Sequence, residues 1–333
     1  MPQSAKDAPL FAADTFAPLP GSPGSDGASR RVGVEIEFGG LSQRDAAEAI
    51  LPLLGGSVTA GDNGDLTLTG GDLGRVEIYL DTALRKKASG PLAKAGLKAS
   101  RAVVPVELVT EPLSQMQLPL LDRVRDSLRQ AGAVGTGDGV LLGFGVHLNV
   151  QTASETGADI PAVVMAFAFL EDWLRARDPM DLSRRVLSFT NSYPRAYLDA
   201  LAQHPAQSLT DFLRLYADHN PTRNRGLDLL PIYAHFAPNA FATQIGGENA
   251  VSARPAYHYR MPDCRLDEPD WTLAYEWNRW ALVERVARNG SALTALPRIW
   301  TEHRKDWSPG GPGWADRVTE LLCEHGLIET ALA

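Results

Sequence analysis

The sequence predicts an α+β protein in which an antiparallel sheet carries helices on one face. Three observations support this. Short runs alternating apolar and polar residues recur along the chain: RVGVEIEF, RVEIYLD, VPVELVTEP, FGVHLNV and AYHYRM. Stretches with apolar residues three and four apart lie between and after them. The order is strand, helix, several strands, helix, strand, helices, strand, helix, with no internal repeat.

Taken in order, residues 1–30 are rich in Pro, Gly, Ser and Ala and are expected to be a disordered tail. Residues 31–333 are expected to form one domain, with a helical insertion around 158–245. RVGVEIEF opens it as a strand. LSQRDAAEAILPLLGG reads as a helix, with Ser42 as N-cap, Asp45 three residues on, and glycine as the stop. SVTAGDNGDLTLTGGDLGRVEIYLD reads as strands punctuated by DNG and GGD. A helix or loop is expected around ALRKKASGPLAKAG, followed by the strand AVVPVELVTEPL. Leu118, Leu121, Val124 and Leu128 then share one helical face. GVLLGFGVHLNVQ is a further strand, the stretch from about 160 to 220 is mostly helical, and SARPAYHYRMPDCR returns to an extended form. WTLAYEWNRWALVERVARNG reads as a long helix ending at Asn289–Gly290, and WADRVTELLCEHG as the last one.

The bulk numbers narrow the function. With 333 residues and 44% hydrophobic, the chain is long enough for a sizeable core. A formal net charge of -8 argues against a general nucleic-acid binder, although a local cluster of cations can still bind ATP. The two cysteines, Cys264 and Cys323, form neither a disulfide framework nor a zinc motif. They are expected to be reduced thiols in a cytoplasmic protein. No signal peptide is expected, and PAVVMAFAFLEDWL reaches Glu171 too soon to span a membrane.

Side chains alternate across a strand, so residues two apart share a face. Val32, Val34, Ile36 and Phe38 share one face of the first strand, and Glu35 and Glu37 the other. Val76, Ile78 and Leu80 lie opposite Glu77, Tyr79 and Asp81. Val104, Val106 and Leu108 lie opposite Glu107, Val109 and Glu111. Phe144, Val146, Leu148 and Val150 lie opposite His147 and Asn149. Tyr257, Tyr259 and Met261 lie opposite His258 and Arg260. If these strands share one sheet, the polar faces meet in one concavity. Adjacent carboxylates repel and burial penalises their charge. Divalent cations relieve both, and oxygen ligands with an imidazole suit Mg²⁺ or Mn²⁺.

Each signal alone has a plainer reading. A glutamate pair on a strand commonly faces solvent, and a lone histidine is commonly structural. Arg254, Arg260 and Arg265 read equally as salt-bridged surface residues, and Arg223 and Arg225 as loop cations. Recurrence over several strands favours a site. Rival chemistries lack their motifs: the chain has no GxxxxGK[ST], HExxH or GxSxG, and GTGDGVLLGFG lacks dinucleotide-fingerprint spacing.

The motifs VGVEIEF, LDTALRK, VELVTEPL, GVHLNV and RPAYHYRMPDCR, with HNPTRNRGLDLLP, follow one another in an order that resembles the amidoligase family. These are carboxylate–amine ligases of the glutamine synthetase and glutamate–cysteine ligase fold. The resemblance covers roughly residues 31–290. It implies a catalytic domain with a funnel-like curved sheet and ATP-dependent amide-bond formation through an acyl phosphate. Glu35 and Glu37 match the family's metal pair, Asp81 the acid of the next strand, and Glu107 the acid of E-x-V/I-T/S-x-P. His147 matches the first histidine of an H-x-H-like strand, near metal and phosphate. Arg260 matches the arginine of the late E-x-R motif, and Arg254 an arginine just upstream, both phosphate contacts. Asn149 and Arg265 complete the expected nucleotide contacts. Two positions depart from the pattern: the E-x-R glutamate is His258, read here as a metal ligand, and the second strand histidine is Asn149.

The resemblance implies ATP and Mg²⁺ (or Mn²⁺) as cofactors, an amino acid or peptide carboxylate and an amine as substrates, and a glutamine amidotransferase-like pathway partner. Nucleic acid and membrane are not expected partners. Two further readings are a catalytically inactive nucleotide- and metal-binding protein that keeps the ligase fold, and a metal-dependent hydrolase acting without ATP.

Overall fold

The computed structural model describes residues 11–21, 29–61, 64–80, 105–136, 143–181, 184–185, 190–203, 208–246, 251–305 and 313–329. The strands are β1 (Arg31–Phe38), β2 (Ser57–Ala60), β3 (Leu66–Gly71), β4 (Gly74–Leu80), β5 (Val106–Thr110), β6 (Leu113–Ser114), β7 (Val146–Gln151), β8 (Leu227–Asp228) and β9 (Ala256–Tyr259). All belong to one sheet, in the order β2-β3-β4-β5-β1-β7-β9-β8, with β6 paired to β1. Every pairing is antiparallel. The protein is thus a mixed α and β structure with a large, open antiparallel sheet covered by helices.

The helices are α1 (Gln43–Leu54), α2 (Leu118–Gln130), α3 (Ile160–Arg177), α4 (Arg195–Gln203), α5 (Leu209–His219), α6 (Leu230–Phe236), α7 (Pro238–Gln244), α8 (Leu273–Arg288), α9 (Gly290–Lys305) and α10 (Trp314–Glu324). The start of α1 is set by the expected capping box between Ser42 and Asp45. Leu118, Leu121, Val124 and Leu128 of α2 are all buried, as their spacing requires. The expected long helix ends at Asn289, and α9, which the sequence reading did not include, begins at once with Gly290.

The apolar faces of the strands supply the core. Val34, Ile36, Phe38, Ile78, Leu108, Val146, Leu148, Tyr257 and Tyr259 are buried. Trp280 of α8 packs against Tyr257 and Tyr259, with ring centroids 5.3 Å apart in both pairs. Leu80 departs from the expected apolar face: it is 40% exposed at the end of β4.

Two further expectations are modified. Residues 11–21, expected to be loose, run along α8. Phe11 and Leu19 are buried, and Asn278 Nδ2 donates to the carbonyls of Ala12 (2.8 Å) and Thr15 (2.7 Å). The segment has no periodicity of its own; its order comes from polar groups on a helix far along the chain. The expected helical insertion contains β8, which joins the sheet at the edge, and α3, which packs against α8 in the core. No helix among the described residues is long and apolar enough to cross a membrane.

Candidate active site

Register arranges the polar faces into rows across the sheet. Tyr79, Glu107 and Glu37 stand opposite one another on β4, β5 and β1. Glu77, Val109, Glu35 and His147 form the next row. Gly33, Asn149, His258 and Asp228 form the third, reaching the edge strand. The expected convergence of Glu35, Glu37, Glu107, His147, Asn149 and His258 is therefore found on one face.

A bulge helps to set this register. Pairing between β1 and β5 runs from Phe38↔Val106 to Glu35↔Val109, then resumes with β6 as Val32↔Leu113, one residue out of step. The extra residue falls around Glu111–Pro112. Thr110 Oγ1 accepts the Val34 amide there at 3.0 Å, so the threonine of the VELVTEP stretch satisfies a buried strand donor.

The side chains are tied together closely. His147 Nδ1 hydrogen-bonds Glu35 Oε2 at 2.7 Å, and its Nε2 lies 3.7 Å from Glu37 Oε1. The Gly145 amide donates to Glu37 Oε2 at 2.7 Å. Asn149 Nδ2 donates to Glu35 Oε1 at 2.8 Å, while Asn149 Oδ1 accepts from Arg254 and from His258 Nδ1, each at 2.7 Å. The two departures from the family pattern, Asn149 and His258, are thus cross-strand partners that bond each other.

Electrostatics follow from this packing. Burial alone would raise the Glu35 carboxyl. The hydrogen bond and charge attraction of His147, then the attraction of His258 and the Asn149 hydrogen bond, outweigh it and hold Glu35 well below the usual carboxylate range. Burial pushes His258 well below its ordinary value, so its ring is neutral at pH 7. Burial raises the Asp228 carboxyl, opposed by Arg223 and Arg260.

Two groups can share a cation: Glu35, His147 and His258, and Glu37, Glu107 and His147. In each, one donor atom per residue lies within 4.8 Å of the others. Arg260 follows β9 and extends its pairing, its amide donating to the Gly226 carbonyl at 2.8 Å. Its Nη1 donates to the Arg223 carbonyl at 2.6 Å. The Nε atoms of Arg260 and Arg254 are both buried without a hydrogen-bond partner, as are those of Arg184, Arg225, Arg279 and Arg317. A cleft of about 430 Å³ opens beside this face, lined among others by Gly33, Glu35, Val109, Asn149 and Arg254.

Other expected residues fall elsewhere. Arg265 does not join the acid face. It lies against Asp178 (3.4 Å) and Glu276 (3.6 Å) and over the Tyr275 ring, because carboxylates of the helical layer capture it. Asp81 lies outside the described residues. Asp228 was not foreseen: it faces His258 from a two-residue strand, too short to show periodicity, and accepts from Arg223 at 2.9 Å. Gly33 was also missed, although a lone glycine inside a strand can mark close approach of a ligand.

This face gathers buried carboxylates and imidazoles, with two arginines at its side, and holds two groups of residues that could share a cation. A family model described as "Putative amidoligase enzyme" matches residues 28–282, about three quarters of the chain, and the chain belongs to that amidoligase family. No curated protein and no solved structure matched the chain.

Proposed function

We propose that this chain is an ATP-dependent ligase that joins a small amino acid or peptide carboxylate to an amine through an acyl phosphate. One observation supports this best: Glu35, Glu37, Glu107 and His147 converge on one face beside Arg254 and Arg260. Membership of the amidoligase family supports the reaction class. In this reading the open sheet corresponds to the funnel-like sheet of the glutamine synthetase-like fold, with nucleotide entering at one end and substrates at the other.

The donor set fits the expected cations. Two carboxylates and one imidazole in the Glu37–Glu107–His147 group suit Mg²⁺ or Mn²⁺, with Glu35 holding the imidazole in place. A cation held by these residues would neutralise charge on the nucleotide phosphates. A carboxylate oxygen of the first substrate attacks the γ-phosphorus of ATP, and ADP leaves. The amine nitrogen then attacks the acyl carbon, and inorganic phosphate leaves. Arg254, 4.0 Å from Glu35, and Arg260, beside Glu37, would meet the transferring group, since a guanidinium matches phosphate oxygens. The amine must be neutral to attack, so a carboxylate of this face takes its proton.

A rival reading, nucleotide and metal binding without turnover, is favoured by His258 standing where relatives carry a glutamate. Purified protein supplied with Mg²⁺, ATP and a pool of amino acids separates the two. Amine-dependent ADP release supports the ligase. Calorimetric nucleotide binding with no such release rejects it and selects the binder.

A further inference from the structure

We propose that Arg184, a buried cation between α3 and α4, locks a bulge in the sheet and so aims Arg260 at the acid face. Arg184 is a positioning residue, and the inference rests on the reading that Arg260 serves the ligase reaction.

The bulge follows from register. β7 and β9 pair as far as Leu148↔Tyr259, and the next bridge is Gly145↔Asp263. Three steps along one strand therefore match four along the other, so one extra residue falls within Arg260–Pro262. Pairing resumes at once. The Val146 amide donates to the Pro262 carbonyl at 3.1 Å, and the Cys264 amide to the Phe144 carbonyl at 3.0 Å. A bulge beside an active site re-aims a side chain, and the residue at the start of this one is Arg260.

An extra residue takes backbone carbonyls out of the ladder, and buried carbonyls need donors. One guanidinium supplies them. Arg184 Nη2 donates to the Arg260 carbonyl at 2.8 Å, and Nη1 donates to the carbonyls of Met261, at 3.0 Å, and Pro262. Asp263 Oδ1, 2.9 Å from the same Nη1, balances the buried charge. Three consecutive carbonyls on one planar cation fix the path of the chain through the bulge. Arg260 is then held at both ends, its amide on the Gly226 carbonyl at 2.8 Å and its carbonyl on Arg184. From that fixed backbone its side chain reaches the Arg223 carbonyl at 2.6 Å, within charge reach of Asp228 and Glu37.

The facing strand leaves room for the same guanidinium. A Cβ on Gly145 would lie 2.7 Å from Arg184 Nη2 and 3.2 Å from His147 Nε2. Glycine there lets Arg184 come close under β7, while the Gly145 amide still bonds Glu37 Oε2 at 2.7 Å.

The test uses the full chain with Mg²⁺, ATP and a pool of amino acids, and compares Arg184→Lys, Arg260→Ala and the double variant. Lysine keeps the charge beside Asp263 but offers one nitrogen where two now reach the carbonyls. Small misplacement of Arg260 should lower kcat/KM for ADP release by about 10²-fold. With Arg260 already truncated, Arg184→Lys should change it by no more than about twofold, because nothing is left to aim. A residue that merely holds the fold would lower turnover alike in both backgrounds. Amide exchange reads the lock without turnover. Val146 and Cys264 should exchange about tenfold faster or more in Arg184→Lys, while the amides of β1 and β5 keep their protection. Asp263→Asn removes only the counter-charge, should shift both readouts in the same direction, and takes the place of Arg184→Lys if that variant does not fold. Equal losses in the two backgrounds, or unchanged exchange at Val146 and Cys264, overturn the proposal. If the parent protein releases no ADP, the ligase reading fails and takes the aiming of Arg260 with it; faster exchange at the two amides would still show Arg184 as the lock of the bulge.

Discussion

Gly33 separates what the sheet needs from what the site needs. It opens the row Gly33–Asn149–His258–Asp228 and lines the 430 Å³ cleft. It is not among the positive-φ glycines, so the backbone does not demand a glycine there. A Cβ at this position would sit 3.6 Å from Asn149 Cβ and 3.9 Å from the Thr110 carbonyl oxygen, which is ordinary contact. Glycine inside a strand costs roughly 0.5–1 kcal/mol relative to alanine. Gly33→Ala should therefore raise stability by about that amount, seen as a higher urea midpoint with an unchanged slope. Gly33→Leu sends a branched side chain from the cleft floor toward the ligand. Small misplacements of substrate cost about 10²-fold in rate, so kcat/KM for ADP release should fall by at least that much. The useful signature is a stable but inactive protein. Gly33→Ala less stable than the parent would show that the strand needs glycine for its own sake. Wild-type turnover in Gly33→Leu would show that the cleft is not where the ligand lies.

Thr110→Val keeps the shape but leaves the Val34 amide without its 3.0 Å acceptor, and should cost about 1–3 kcal/mol in urea unfolding, with Thr110→Ser restoring most of it. A loss below about 0.5 kcal/mol, in the range of an ordinary surface change, would mean another acceptor serves that amide. Arg260→Ala removes a cation beside Glu37 and Asp228 and should lower ADP release by roughly 10²–10³-fold while far-UV circular dichroism stays unchanged. Near-normal turnover would take Arg260 out of the mechanism. Glu35 is held below the usual carboxylate range, so its contribution is present above the unfolded value of about 4 and is lost as pH falls toward the folded value. Glu35→Gln should flatten the fall of stability below about pH 4, and an equally steep acid limb in that variant would show that other groups drive it.

Much of the site was legible because a strand has a period of two. Glu35 and Glu37 on one side of RVGVEIEF, with Val34 and Ile36 on the other, need no partner to be assigned to faces. The same rule recovers His147, Asn149, Glu107 and His258. It cannot recover Asp228, whose strand spans two residues and gains its orientation only by pairing with β9. It says nothing of Arg265, which only the family resemblance placed among the nucleotide contacts, and spacing does not reveal that Asp178 and Glu276 lie within its reach on the helical side. The packed segment 11–21 escapes for the same reason: its hydrogen bonds end on Asn278, more than 250 residues away.

The pair Asn149 and His258 shows most directly why register must be added to pattern. In the sequence they are two separate departures from a family motif, 109 residues apart. Pairing of β7 with β9 makes them direct partners, and the 2.7 Å hydrogen bond makes one change explain the other. A second histidine at position 149 would offer no amide oxygen to His258 Nδ1. With asparagine there, the His258 ring is fixed with its other nitrogen free. The effect of His258 on the site therefore depends on Asn149, and the two substitutions should be non-additive. A double variant, Asn149→Leu with His258→Leu, should lose less stability in urea unfolding than the two single losses added together, because the 2.7 Å hydrogen bond between them is lost only once. Full additivity would mean the two residues act independently, and would break the link between them that the register suggests.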